Sequence, residues 1–304
     1  MNILIPDLMK HRAAQLGELG TTWLRDVESV LANVAASWNL NVGPQLSGGT
    51  EALVFVTSGD TSTSVLKLGL PNSLDRETEA LENAQGVAYA KLLAFDTQRD
   101  AILVEQLGAQ LAEASLPVEQ QIRIICATLK DGWQRIDSLN CLMTGAEKAQ
   151  AQAAYIVQQW EILDRPCPQR TVDQALAFAS EREAAYDPSD SYLIHGDAHI
   201  WNTLEAPNSP TGYKFVDPDG LFGERAIDLA ISLREWRDEL LIGDTLLLGL
   251  ERCELLAGLA HVDSYAIWQW GFIEHVSSGL LDLNLRDFDA AVKHFSIANC
   301  WVEA

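Results

Sequence analysis

Two short polar clusters, each directly after an apolar run, hold the residues of this chain that are best suited to chemistry. The first contains Asp197 and, five residues later, Asn202, and the second begins with Asp217. A carboxylate such as Asp197 can accept a proton, while the oxygens of Asn202 and Asp217 are hard ligands of the kind that Mg²⁺ prefers. This combination predicts transfer of a phosphoryl group from a metal-bound triphosphate to a hydroxyl.

Two histidines flank the first aspartate and raise the alternative of a zinc site. Such a site would need a third ligand, such as Asp217, and His195 and His199 do not have the spacing of a helical histidine pair. We therefore predict a structural role for His195, through hydrogen bonds of its ring nitrogens. Asp228 lies in an apolar segment, where a buried carboxylate must be hydrogen-bonded, and we expect it to brace the backbone of the 195–202 loop.

A positive group for the phosphates is predicted in the first third of the chain. Lys67 lies in a strand-like run between two leucines, and Glu77 in the helix that follows could fix its ammonium group. Glu79 and Glu82 are alternatives to Glu77, and a solvated helix face would explain all three. A glycine loop of Ser47, Gly48 and Gly49 precedes the strand that holds Lys67. Its backbone amides could approach phosphate oxygens, and the alternative is a plain hairpin turn.

Composition narrows the classes of partner. The chain has 304 residues and a formal net charge of −22, which disfavours nucleic acid and anionic membrane surfaces. A cationic small molecule is compatible with this charge, although acidity alone often reflects solubility. The five cysteines form no C-x-x-C pair, and the sequence has no signal-peptide or membrane-spanning segment, so we predict a cytoplasmic protein. We expect it to be a monomer or a homodimer.

Hydrophobic periodicity divides the chain into a small mixed lobe and a large helical lobe. Residues 1–107 read as a helical extension to about residue 38, a hairpin, a helix and two further strands. Residues 108–304 read as helices interrupted by the polar clusters. We therefore predict an α+β chain with these two domains.

These motifs together resemble the aminoglycoside phosphotransferase family, whose fold is similar to that of eukaryotic protein kinases. The family's H-G-D-x-H-x-x-N loop reads here as residues 195–202, and its I-D-x-x-G segment reads as 216–220. The long N-terminal helix, the motifs within 43–107 and the segment 217–221 resemble the branch of streptomycin 6-kinases and hydroxyurea-resistance kinases.

The resemblance implies a bilobal protein-kinase-like fold, in which a small lobe with an antiparallel sheet binds the nucleotide and a mainly helical lobe carries the catalytic loop and acceptor site. It implies that Asp197, Asn202 and Asp217 are catalytic, with the last two holding Mg²⁺. Lys67 would contact the α and β phosphates of ATP, or of GTP as the alternative, and would pair with Glu77. The implied hinge at the adenine edge comprises Glu105, Gln106 and Leu107.

Two departures from the family pattern lie beside the catalytic residues. Ile200 and Trp201 occupy the positions of the usual Pro-Gly, which would change the shape of the loop or of the adjoining pocket. Asp219 stands where a lysine is usual, which adds negative charge near the metal.

The expected activity is ATP- and Mg²⁺-dependent phosphorylation of a hydroxyl on a small molecule, such as an aminoglycoside like streptomycin, or hydroxyurea, as in antibiotic resistance. The alternatives are a metabolite kinase of the same fold, of choline, sugar or homoserine type, and a non-enzymatic nucleotide-binding module. Acidic residues of the helical lobe fit a cationic acceptor, with tryptophans as pocket walls, although each is equally explained as an exposed acid or core residue. The selected acceptor contacts are Glu235, Trp236, Asp238, Trp270 and Glu274.

Overall fold

The computed structural model describes residues 3–46, 51–59, 63–136 and 139–302. Its described residues fall into two compact units, Met1–Gly108 and Ala109–Ala304. The predicted α+β class is confirmed, since an antiparallel sheet lies in the first unit and helices predominate in the second.

The first unit is built on a five-stranded antiparallel sheet with the order β1-β2-β3-β5-β4. Strand β3 is in the middle of the sheet, so its residues are paired on both sides. The strands are β1 Asn41–Leu46, β2 Ala52–Ser58, β3 Thr63–Gly69, β4 Leu92–Asp96 and β5 Ala101–Glu105, and helix α3 (Asp75–Ala84) connects β3 to β4.

Two N-terminal helices complete the core of this unit. The sequence predicts one helical segment over residues 7–38, but the structure has α1 (Asp7–Gln15) and α2 (Glu18–Ser37). The break falls at Gly17, whose φ of +62° is unfavourable for residues with a side chain. Apolar residues of these helices pack on the sheet in one buried cluster that includes Met9, Trp23, Val27, Leu31, Phe55, Leu66 and Leu68.

The second unit is organised around one long buried helix. Helix α10 packs against α5, α6, α7, α9 and α11, and its sequence is apolar around most of its circumference, as expected for an enclosed helix. The helices are α4 Val118–Gly132, α5 Gly145–Ile162, α6 Gln169–Ala184, α7 Ala226–Arg234, α8 Arg237–Leu240, α9 Thr245–Ala260, α10 Ser264–Asn284 and α11 Phe288–Trp301.

Five short strands frame the polar clusters of the second unit. One sheet has the order β6-β10-β7 and the other pairs β8 with β9. Because β7 leads into residues 195–202 and β10 follows residues 216–220, pairing of β7 with β10 brings the two clusters side by side. The strands are β6 Met143–Thr144, β7 Tyr192–Ile194, β8 Thr203–Glu205, β9 Tyr213–Phe215 and β10 Leu221–Gly223.

Within the described ranges, no helix has the length and apolar character needed to cross a lipid bilayer.

Candidate active site

The 195–202 loop is tied to the 216–220 segment through its first residue, His195. This residue is fully buried, and its Nε2 lies 2.9 Å from the carbonyl oxygen of Val216. Its Nδ1 accepts a hydrogen bond from the backbone N–H of Asp197 at 3.1 Å. These partners require a neutral ring with the proton on Nε2, and burial lowers the His195 pKa, which favours that form.

Asp228, on helix α7, braces the same loop from the other side. Its carboxylate accepts hydrogen bonds from the backbone N–H groups of His195 at 3.2 Å and Gly196 at 2.8 Å, and from Trp133 Nε1 at 2.8 Å. The carboxylate is completely buried, and burial raises its pKa while the donors act in the opposite direction. The backbone before Asp197 is thus held by a residue of another element.

Two backbone conformations in these clusters are unusual. Gly196 has a φ of +88°, and a Cβ there would lie 2.7 Å from Leu221 Cδ1, so a side chain would be both strained and crowded. Asp217 has a φ of +58° although it precedes a proline. Left-handed conformations of non-glycine residues are concentrated at functional sites, which supports a functional interpretation of Asp217.

The Asp197 carboxylate is held at both oxygens. His199 Nε2 lies 3.1 Å from Oδ2, and Arg234 Nη2 lies 3.3 Å from Oδ1. Burial raises the pKa of Asp197, but the hydrogen bond from His199 and the charge of Arg234 outweigh this and lower it well below its usual range. The carboxylate is therefore ionised at neutral pH.

Sequence reasoning missed both of these partners. His199 was considered only as a zinc ligand, but its Nδ1 accepts from the backbone N–H of Trp201 at 3.1 Å, so that Nε2 is the donor to Asp197. Arg234 ends the apolar helix α7, and the signal that could have identified it is a cation directly after a run of buried residues.

Asn202 is positioned by the loop that it ends. Its Nδ2 donates to the carbonyl oxygen of Asp197 at 3.1 Å, and its backbone oxygen accepts from Val216 N at 3.0 Å. Because the amide nitrogen is directed at the loop backbone, the side-chain oxygen is the atom that can face a cation. Over the residues that the structure describes, no group of three or more His, Cys, Asp or Glu side chains could hold a metal ion.

In the first unit, Lys67 and Glu77 form a buried ion pair. Lys67 is at the centre of the sheet, opposite Val54 and Ile102, and its Nζ lies 2.5 Å from Glu77 Oε1 on α3. The pairing favours Glu77 over the alternatives Glu79 and Glu82 as the partner of this lysine.

The structure describes some of the other predicted nucleotide contacts but not all of them. Glu105 ends β5, and its side chain accepts a hydrogen bond from Lys91 N at 2.8 Å. Gln106 and Leu107 follow in an irregular segment, where backbone groups are not committed to a strand. Ser47, Gly48 and Gly49 lie outside the described residues.

Two of the predicted acceptor contacts are in the interior of the second unit. Trp270 is 1% exposed and its Nε1 donates to Glu224 Oε1 at 2.7 Å, so the prediction that it forms a pocket wall is wrong. Glu274 is buried between Arg234 and Lys148, at 3.1 and 3.3 Å, and is not a free acid facing an acceptor. Both outcomes follow from the enclosure of α10 by the neighbouring helices.

The remaining predicted acceptor contacts lie at the end of α7 and in α8. Glu235 and Trp236 are half-buried, and Trp236 has a φ of +49°. Asp238 is exposed and pairs with Lys293 at 2.6 Å. These three residues share a short segment with Arg234. Asp238, the exposed acid among them, is already paired with a cation of this chain.

The comparisons with known proteins concern the family and the fold of the chain. Residues 38–281 match the family model described as aminoglycoside/hydroxyurea antibiotic resistance kinase. No protein of curated function matches the sequence significantly.

Several solved structures share the fold at low sequence identity. Choline kinase LicA from Streptococcus pneumoniae superposes with a TM-score of 0.61 at 13% identity, over 91% of this chain and 99% of that one. A thermostable mutant of aminoglycoside phosphotransferase APH(4)-Ia, in ternary complex with ADP and hygromycin B, gives 0.62 at 15% identity, over 90% and 97%. Choline kinase from Cryptosporidium parvum Iowa II gives 0.61 at 11% identity, over 91% and 94%.

At these identities the superpositions show a common kinase-like fold, while the family match covers most of the sequence. The chain therefore belongs to the aminoglycoside/hydroxyurea antibiotic resistance kinases, a family of kinase-like phosphotransferases.

Proposed function

We propose that this kinase transfers the γ-phosphate of ATP to a hydroxyl of a small molecule, with Asp197 orienting the hydroxyl. The observation that carries the proposal is the pair of contacts that hold both oxygens of an ionised Asp197 within a rigid loop. Phosphoryl transfer depends mainly on positioning and electrostatics, which such a loop can supply.

The lowered pKa of Asp197 supports one of two roles for this carboxylate. A carboxylate with a lowered pKa is a weak base, so early removal of a proton from an alcohol is unfavourable. The ionised oxygen can instead accept a hydrogen bond from the hydroxyl and align it for attack. It would take the proton as the new O–P bond forms.

Asn202 and Asp217 have the donor chemistry for Mg²⁺, and both are presented by constrained backbone. We propose that they hold the ion, which when bound would neutralise phosphate charge. The chain would fix Asn202 through its hydrogen bonds with the Asp197 carbonyl and the Val216 N–H, and Asp217 through its left-handed backbone conformation.

In the first unit, the Lys67–Glu77 pair supports a nucleotide site. A central strand gives Lys67 little freedom, and Glu77 orients its ammonium group, which we propose contacts the α and β phosphates. The backbone of Glu105, Gln106 and Leu107 would meet the adenine edge, and Ser47–Gly49 remain the predicted phosphate loop. Residues 1–107 would thus serve the nucleotide, and 108–304 the chemistry and the acceptor.

The acceptor we propose is an aminoglycoside such as streptomycin, or hydroxyurea, as the family description suggests. The net charge of −22 is compatible with a cationic compound. A metabolite kinase of choline type is the second candidate, because two choline kinases are among the structures with the same fold.

An acceptor panel tests these proposals. Purified protein is incubated with Mg²⁺ and ATP or GTP, and with streptomycin, hygromycin B, hydroxyurea, choline, hexoses or homoserine, and products are measured by mass. A mass gain of one phosphate on streptomycin or hydroxyurea supports the first candidate, and a gain on choline, a hexose or homoserine supports the second. Nucleotide binding without any transfer would contradict both and favour a binding module.

The Lys67→Met variant tests the nucleotide site in the same assay. We expect KM for ATP to rise by about tenfold or more, since one charge-assisted contact to phosphate is lost. Lys293→Met, which removes the exposed partner of Asp238, is the matched control and should leave KM for ATP unchanged. An unchanged KM in Lys67→Met would contradict the proposed phosphate contact.

A further inference from the structure

A chain of alternating charges in the second unit ends at Asp197. Lys148 Nζ, on α5, lies 3.3 Å from Glu274 Oε1, on α10. The other oxygen of Glu274 lies 3.1 Å from Arg234 Nη1, and Arg234 Nη2 lies 3.3 Å from Asp197 Oδ1. Three separate helices thus contribute one charge each behind the carboxylate.

Asp197 is the most exposed member of this chain of charges. The side chains of Lys148, Glu274 and Arg234 are 12%, 6% and 17% exposed, whereas Asp197 is 36% exposed. Asp197 is therefore the end of the chain that a substrate could reach, and the other three act behind it.

Additional hydrogen bonds fix the inner members. Gln152 Nε2 donates to Glu274 Oε1 at 2.7 Å, and Arg234 Nη1 also lies 3.3 Å from Ser278 Oγ. A guanidinium is planar and rigid, so holding Nη1 at Glu274 and Ser278 determines where Nη2 is directed. The position of Nη2 in turn determines where Asp197 Oδ1 can lie.

We propose that Arg234, Glu274 and Lys148 are positioning residues for phosphoryl transfer, which set the orientation of the Asp197 carboxylate through this buried chain. The inference deepens the proposed function and rests on it. His199 holds Oδ2 and Arg234 holds Oδ1, so the carboxylate has little rotational freedom. A displacement of about 1 Å at a reacting group can cost roughly 100-fold in rate.

Stability alone is a poor explanation for these charges. Buried ion pairs lose much solvation, and well-packed apolar residues often replace them without loss of stability. The charged forms are nonetheless favoured here. Burial lowers the Lys148 pKa, but Glu274 and nearby aspartates raise it overall, while Lys148 and Arg234 lower the pKa of Glu274 against the effect of its burial.

Steady-state kinetics of full-length variants test this inference, with MgATP and streptomycin as the probes. We expect Glu274→Gln and Lys148→Met to lower kcat by roughly tenfold, and Arg234→Gln by roughly 100-fold, with KM for ATP unchanged. Arg234→Lys should retain more activity than Arg234→Gln. The matched control is Arg182→Gln, which breaks the partly buried Arg182–Glu224 pair at 3.2 Å and should leave kcat unchanged.

A double-variant cycle distinguishes positioning from general damage. Once Asp197 is replaced by Asn, adding Glu274→Gln should reduce the residual rate no further, because there is no carboxylate to orient. Equal reductions in both backgrounds, or an unchanged kcat in Arg234→Gln and Glu274→Gln, would overturn the proposal.

A crystal structure of Glu274→Gln gives a readout that does not depend on activity. We expect the Asp197 carboxylate to leave the position between His199 and Arg234, whereas an unmoved carboxylate would overturn the proposal. If the wild-type protein transfers no phosphate to any acceptor, the proposed function fails, and this structural result still decides whether the chain positions Asp197.

Discussion

The 195–202 loop and the segment 234–239 both lie in the second unit but are held in place differently. In the loop, side chains mostly contact nearby backbone, as His195 does at Asp197 and Asn202 does at the Asp197 carbonyl. In the segment, charged groups are held by distant helices. Arg252, on α9, pairs with Glu239 at 3.4 Å, and Lys293, on α11, pairs with Asp238 at 2.6 Å.

These contacts show two ways in which this unit holds polar groups. The 195–202 loop combines local backbone contacts with two distant braces, Asp228 and Arg234. The segment carries charges that are paired with residues 13 and 55 positions away, so single substitutions in those helices can change its surface charge. Arg234 belongs to both regions, since it begins the segment and contacts Asp197.

Among the variants that test this comparison, the largest effect is expected where a distant residue, Asp228, braces the loop. Asp228→Asn leaves one oxygen for three N–H donors, and its new amide group would face a donor. Each unsatisfied buried group costs about 1–3 kcal/mol, so we expect a clear fall in the free energy of unfolding and roughly 100-fold lower kcat. Urea unfolding and steady-state kinetics measure both effects.

The control for this variant is Asp190→Asn, at an exposed aspartate paired with Arg135. It should change neither quantity appreciably. If Asp228→Asn behaved like this control, the loop would not depend on its brace.

The second expected effect is a loss of stability at low pH, caused by two buried histidines in the helices that support the segment. Arg237 Nη1 lies 3.0 Å from His294 Nε2, and His294 contacts His275 at 2.9 Å. Burial lowers the pKa of both histidines. The unfolded chain binds protons below about pH 6.5 that these folded residues do not, so stability should fall as pH falls through that value.

The expected loss is up to about 2 kcal/mol per histidine between pH 7 and 5. Urea unfolding at a series of pH values measures it, and a variant with His275→Gln and His294→Asn should show a smaller slope than His11→Asn, an exposed control. An identical slope in the two variants would show that the histidines are protonated in the fold.

The smallest effect is expected at the exposed end of the segment. Asp238 is 79% exposed, and exposed ion pairs contribute about 0–1 kcal/mol. Asp238→Asn should therefore change the free energy of unfolding by less than about 0.5 kcal/mol. If the proposed acceptor contact is correct, KM for streptomycin should nevertheless rise, and an unchanged KM would remove Asp238 from the acceptor site.

The sequence predicted much of the fold because its signals there are local. Apolar periodicity identified the helices and strands, and the spacing of Asp197, Asn202 and Asp217 identified the clusters that pairing of β7 with β10 brings together. The break at Gly17 was missed, because the apolar pattern continues across it.

The interior contacts of the second unit could not be predicted in the same way. Glu274 and Trp270 have the residue types of a pocket lining, but α10 is enclosed on nearly all sides, and the identity of the buried partners of these two residues depends on the packing of the other helices. The contacts of Arg234 with Asp197 and Glu274 span about 40 positions, over which the sequence contains no spacing rule.

The central claim is that Asp197 orients the acceptor hydroxyl, and a single-turnover assay of phosphoryl transfer tests it most directly. Asp197→Asn keeps the size of the side chain but removes its charge. MgATP binding, measured as a thermal shift, checks that the variant is folded. We predict a transfer rate lower by about 10²–10⁴-fold with MgATP binding retained. A variant that binds MgATP and transfers phosphate at the wild-type rate would contradict the account.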